Sequence, residues 1–186
     1  MTASVVVAGM GSEYRRDDGA GPAVARIVAT LAGDTVDIGP LGEPLDLLGR
    51  WDGAELAVLV DATRGGAQPG SVVVHDLDAL AAGGSPAPAH GELVSGGSST
   101  HGIGLVAALA IARAAGRAPG RVVVVGIEGR EFGFGVEMSP AVQAAIPEAV
   151  QTVLRIAGLD SVGRDPAGPD PAGPERSVPC RVGLGP

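Results

Sequence analysis

The sequence predicts an α/β fold, a three-layer α/β/α sandwich around a twisted, mainly parallel sheet of five strands. Three observations carry this. Runs of β-branched and aliphatic residues (VVVA at 5–8, LAVLV at 56–60, VVVVGI at 122–127) alternate with stretches of helical periodicity. The runs are solidly apolar, as strands buried on both faces are. Glycine-rich turns separate strands from helices in the order that builds parallel βαβ units.

The elements follow in order. Ser4 to Ala8 is the first strand, and Gly9-Met10-Gly11 turns the chain. After Asp17-Asp18-Gly19, Pro22 suits the first turn of a helix. Val24, Ile27, Val28 and Leu31 fall at i, i+3, i+4 and i+7 on its apolar face, and Gly33 closes it. Thr35 to Ile38 reads as a short second strand and Leu45 to Arg50 as a short helix. Leu56 to Val60 is a buried strand running into Asp61, and Ser71 to His75 is another. Residues 83–100, rich in Gly, Ser, Pro and Ala, read as a long loop. Gly102 to Ala115 is apolar nearly all round, which predicts a buried helix ended by Gly116. Val122 to Ile127 is the last strand, followed by a glycine-punctuated loop, 129–135, that holds Phe132 and Phe134. Ser139-Pro140 starts the final helix, with Ser as cap and Pro at the first position. Pro147 is expected to kink or restart that helix, and Val150, Val153, Leu154 and Ala157 carry its apolar stripe to Gly158.

Residues 1–158 therefore read as one α/β domain. The composition changes at Leu159: DPAGP repeats at Asp165 and Asp170, and residues 159–186 read as a disordered tail that buries too little apolar surface to offset its ordering entropy. The 186 residues suit one compact domain, and with aromatic residues at only 2% its core must be aliphatic. All thirteen basic residues are Arg, which excludes a Schiff-base lysine and a P-loop lysine. A net charge of -8 argues against a nucleic acid or an anionic membrane as partner. The single cysteine, Cys180, excludes an intrachain disulfide and a cysteine-based zinc cluster. With neither a signal-peptide pattern nor a membrane-length apolar run, a cytoplasmic protein is expected.

Three chemistry-bearing residues fall in glycine-rich segments at strand or helix ends: Asp18 in RRDDGAG, Asp61 in LVDATRGG and His101 in SSTHGIG. In an open α/β sheet such segments gather at the carboxyl ends of the strands, where ligands bind. Two carboxylates and an imidazole meeting there would make a metal site with open positions. Each also has a structural reading. Asp17-Asp18 could cap the helix that follows, with one carboxylate capping while the other faces the cleft. Asp61 could bind backbone N–H groups of the turn that follows it. His101 could pack at a helix start. His75 lies at a strand end and His90 in the long loop, so His101 is the best-placed imidazole. Glu128, Glu131 and Glu137 flank the last loop; they could line the same cleft, but read rather as its solvated surface. Gly9-Met10-Gly11 lacks the third glycine of a dinucleotide fingerprint, and Glu13 would face the pyrophosphate. Neither a nucleophile-elbow serine motif nor H-E-x-x-H is present.

Four segments in order resemble the hydrogenase maturation endopeptidases: GMGSEYRRDDGAG, VLVDATRGG, SSTHGIGL and VVVVGIEGREFGFGVEMSPAV, together spanning residues 3–158. The resemblance implies a phosphorylase/hydrolase-like fold. It implies an endopeptidase that removes the C-terminal peptide of a nickel–iron hydrogenase large-subunit precursor. It implies that Asp18, Asp61 and His101 are the catalytic and metal-contacting residues. The nickel would be carried by the substrate, recognised as a sign of completed insertion rather than held as a resident cofactor. Ser12 stands where the family has Asn, and Gly39 to Pro44 lacks the family's Gly-Gly-Thr stretch, which points to a divergent partner. A monomer is expected. Two rival readings remain: a resident-metal hydrolase of another class on the same fold, and a non-catalytic chaperone that docks a hydrogenase subunit.

Overall fold

The computed structural model describes residues 5–32, 37–41, 46–78 and 100–159. Five strands form one sheet: β1 (Val5–Met10), β2 (Asp37–Leu41), β3 (Leu56–Thr63), β4 (Val72–Asp76) and β5 (Arg121–Glu128). Their spatial order is β2-β1-β3-β5-β4. All neighbouring pairs are parallel except β4, which runs antiparallel to β5 at one edge. The helices are α1 (Ala20–Ala32), α2 (Leu47–Arg50), α3 (Thr100–Ala114) and α4 (Pro140–Ile156).

Strand alternation builds the three layers. Val7, Val58, Val60, Val125 and Ile127 meet Val24 and Val28 of α1 and Val142, Val150 and Val153 of α4 on one face. Val6, Ala8, Leu59, Val122 and Val124 meet Leu47 and Trp51 around α2 and Leu105, Ala108 and Leu109 of α3 on the other. Both faces of the central strands are thus covered, which is why their sequences show no polar alternation.

A glycine pair sets how closely α1 lies on the sheet. A Cβ on Gly21 would collide with the carbonyl oxygens of Met10 and Val60, and one on Gly9 with the carbonyl of Gly21. Only two bare backbones let the start of α1 rest on the carboxyl ends of β1 and β3. That contact seats the preceding 3₁₀ turn, Arg16–Gly19, at the edge of the sheet.

Several expectations are corrected. β3 runs on through Asp61, which pairs in register with Gly126, so the carboxylate belongs to the strand and not to the loop after it. By alternation it continues the Ala57–Leu59 face, the side that α3 covers. α3 is not buried all round: Leu105, Ala108, Leu109 and Ala112 face the sheet, while Ile111 is exposed. Ile27 and Leu31 of α1 are also exposed, and Ala25 and Ala32 take the inward positions instead. Pro147 does not restart the last helix, which runs unbroken from Pro140 to Ile156. Ser139 holds the N-cap position but makes no side-chain cap to its own helix. The long loop with His90, the segment 42–45 and the tail with Cys180 lie outside the described residues.

Candidate active site

Two chain segments close over the carboxyl edge of the sheet. The first leaves β1 at Met10, turns at Gly11 with φ 112° and enters the 3₁₀ turn. The second is the loop between β5 and α4. They are stitched together by the backbone: Arg16 N–H donates to the Gly135 carbonyl (2.8 Å), Gly135 N–H to the Tyr14 carbonyl (2.9 Å) and Asp17 N–H to the Glu131 carbonyl (3.0 Å). Arg16 has a left-handed φ of 54°, a strained conformation for a side chain of its size. Its side chain helps fix it there, with Nε donating to the Phe134 carbonyl (3.3 Å) and Nη1 to Glu131 (3.0 Å).

Asp17 is fully buried and is the strut of this joint. Its carboxylate accepts from the backbone N–H groups of Arg130 (2.8 Å), Glu131 (2.8 Å) and Ser139 (2.6 Å), and from the Ser139 hydroxyl (3.0 Å). Burial works to raise its pKa, but the amides of Glu131, Arg130 and Ser139 outweigh burial and hold it below the ordinary carboxylate value. The Ser139 hydroxyl is therefore engaged by Asp17, which explains the missing cap. Glu128 does the same work on the other side. Buried at the end of β5, it accepts from the N–H groups of Gly65 (2.9 Å) and Gly66 (2.8 Å) and from the Thr63 hydroxyl (3.1 Å). The expectation that Glu128 belongs to a solvated loop surface is corrected: a carboxylate is the acceptor that two adjacent turn amides require.

These struts take over the structural roles open to Asp18 and Asp61. Asp17, not Asp18, carries the network that orders the helix entry. Glu128, not Asp61, binds the turn after β3. Asp18 is buried and accepts one bond, from the Ser12 N–H (3.0 Å). Asp61 is 8% exposed, and among the described residues its Oδ1 has no hydrogen-bond partner. Burial, then the nearby charge of Asp18, push its pKa up to about 7, against the lowering influence of the Ala62 amide. Burial and the charge of Asp18 thus disfavour the ionised form of Asp61 near neutral pH. An orphaned buried oxygen beside a second carboxylate is a donor set that suits a cation.

The structure thus brings Asp18 and Asp61 together. It places His101 by its backbone alone, in the first turn of α3, on the side of the sheet to which Asp61 belongs; its imidazole lies outside the described residues. Among the described residues no group of three or more His, Cys, Asp or Glu side chains is arranged to hold a metal ion. His75 sits in β4 opposite Val124, and β4 pairs with β5 alone. The roles of Asp17 and Glu128 were not legible from residue type. The usable signal was doubling, since each potential site carboxylate has a second acid near it in sequence or across the β3–β5 pair.

Comparison with known proteins agrees with this architecture. Residues 34–156 match the sequence model of a family described as hydrogenase maturation protease. Among solved structures, the chain is similar to a hydrogenase 2 maturation peptidase from a Thaumarchaeota archaeon, with 28% identity, TM-score 0.59, and 83% of this chain and 98% of that one covered. It is similar to a nickel–iron hydrogenase maturation protease from Thermococcus kodakarensis, with 25% identity, TM-score 0.61, and 84% and 99% covered. A hydrogenase maturating endopeptidase from Escherichia coli shares the fold, with 21% identity, TM-score 0.65, and 85% and 94% covered. No curated protein matches the chain significantly.

Proposed function

The chain belongs to the hydrogenase maturation protease family, and we propose that it is an endopeptidase that removes the C-terminal peptide of a nickel–iron hydrogenase large-subunit precursor once nickel has been inserted. It would act in the cytoplasm as a monomer. Among the described residues no helix is long and apolar enough to cross a membrane.

The observation that carries this reading is the Oδ1 of Asp61, unpartnered among the described residues, beside Asp18. Burial and the Asp18 charge favour a proton on Asp61. A divalent ion presented by the substrate would take the place of that proton, and the exchange would reward only a metal-loaded precursor. Asp18 and Asp61 would supply oxygen donors and His101 a nitrogen donor to nickel already held by substrate thiolates. The struts Asp17 and Glu128 hold both loops in place, so the carboxylates are pre-positioned and little ordering remains on binding.

Incubation of the purified chain with nickel-loaded and nickel-free precursor, read by intact mass, tests the proposal. Cleavage of the loaded form alone is expected. Asp61→Asn and His101→Ala should abolish it while leaving the circular dichroism spectrum native. Full processing by both variants would refute the site assignment. Stoichiometric zinc in the purified chain would favour a resident-metal hydrolase, and unchanged precursor mass despite binding would favour a docking chaperone.

A further inference from the structure

Two arginines lie close in sequence to the carboxylate pair. Arg15 stands three residues before Asp18, and Arg64 three residues after Asp61. Both converge on Phe132. The Arg64 guanidinium lies over the Phe132 ring, 4.6 Å from its centroid, and Arg15 Nη2 donates to the Phe132 carbonyl at 3.5 Å. Among the described residues neither arginine forms an ion pair, as is also true of Arg130 and Arg155, whereas Arg16, Arg26, Arg113, Arg117 and Arg121 all do. The nearby acids are already engaged: Glu13 and Glu131 by Arg26 and Arg16, Glu128 and Asp17 by buried amides. Glu137 is exposed, past Phe134. In a chain of net charge -8, Arg15 and Arg64 bring to Phe132 two guanidiniums that have no ion-pair partner among the described residues.

Next to them lies apolar surface. The chain has one Trp, one Tyr and two Phe, and two of these four aromatics stand in solvent: Tyr14 is 73% exposed and Phe134 92%. Val136 is 69% exposed. The segments that carry them are locked to each other through the Arg16–Gly135 and Gly135–Tyr14 backbone bonds, so the side chains are held out on a fixed ribbon. Rigid exposed aromatics near charged side chains are the usual anchors of a polypeptide interface.

We propose that this face grips the substrate polypeptide, with Arg15 and Arg64 binding an acidic side chain of the segment to be cut and Tyr14, Phe134 and Val136 holding its apolar neighbours. The inference rests on the reading of Asp18 and Asp61 as the cutting site. Phe132 keeps the Arg64 guanidinium flat and directed, and a planar guanidinium pairs with a carboxylate through two parallel bonds.

The test compares wild type, an Arg15→Gln/Arg64→Gln double variant and Phe134→Ser, with nickel-loaded precursor as probe. Precursor affinity is measured by interferometry at low and high salt, and processing by initial rates. All three substituted residues lie on or near the surface, and thermal melts check folding. For the double variant, KM and Kd should rise at least about tenfold while kcat at saturation stays within about twofold, and the salt dependence of Kd should shrink. Phe134→Ser should raise Kd without changing its salt dependence. Unchanged KM, Kd and salt dependence in the double variant would overturn the inference even with a working protease. Wild type that binds but does not cut would refute the proposed function alone, and the affinities would still decide this proposal. Wild type that does neither refutes both. Self-association abolished by Phe134→Ser, with KM unaltered, would assign the face to a second copy of the chain.

Discussion

Replacing Asp61 by Asn should make the metal-free protein more stable at neutral pH, although it alters the proposed site. The substitution keeps size and shape but removes the charge. Asp61 is buried beside Asp18, and its pKa rises from 3.8 to about 7. The folded state therefore holds the proton more tightly than the unfolded state does. Stability linked to this group is full below the unfolded value and is lost as pH climbs toward the folded one. At 1.36 kcal/mol per tenfold change in proton affinity, the whole loss amounts to about 4 kcal/mol, of which about 2–3 kcal/mol falls between pH 5 and pH 8. Asn has no proton to lose, so its stability should not follow this curve. Urea unfolding of both proteins at intervals from pH 5 to pH 8, with metal chelated, measures the difference. The gap in favour of Asp61→Asn should widen by about 2–3 kcal/mol across that range and level off above pH 8. A gap that stays constant would show that Asp61 titrates alike in the folded and unfolded chain, and the account of Asp61 raised by burial and the Asp18 charge would be wrong.

Glu128→Gln should destabilise the fold by about 1.5–3 kcal/mol, because an amide oxygen accepts the Gly65 and Gly66 N–H groups less strongly and its NH2 group faces donors. Chemical denaturation measures this, and an unchanged midpoint would remove Glu128 as the strut of the turn after β3. Gly21→Ala should cost about 3 kcal/mol or more, since the added methyl group meets the Met10 and Val60 carbonyls and the start of α1 must lift off the sheet. A melting temperature within a degree or two of wild type would refute the close-approach argument.

The sheet was legible because its strands are unusually plain. Val122 to Ile127 and Leu56 to Val60 leave no polar position to confuse the period, and the structure lengthens each by only a few residues. The errors came where burial depends on distant partners. α3 carries apolar residues around most of its circumference, yet only one side has a sheet to pack against. Ile27 and Leu31 sit at helical spacing but miss the core, since the Gly9–Gly21 contact fixes how α1 rolls onto β1. In the site, sequence motifs singled out Asp18 and Asp61 but could not divide the labour among the carboxylates. That division rests on bonds between residues more than sixty positions apart, such as Glu128 to Gly65 and Asp17 to Ser139. No local pattern encodes them.

The reach of Asp17 across the chain has a consequence for the protein's own synthesis. Its four bonds come from Arg130, Glu131 and Ser139, residues translated long after it. A nascent chain that has emerged only as far as β4 carries Asp18 and Asp61 but has neither the amides that hold the Asp17 loop nor Glu128 to hold the turn after β3. A ribosome-bound or truncated chain therefore has the two carboxylates of the proposed site without His101 and without the scaffold that aligns them. The scaffold is complete only once β5 lies beside β3 and the start of α4 closes on Asp17.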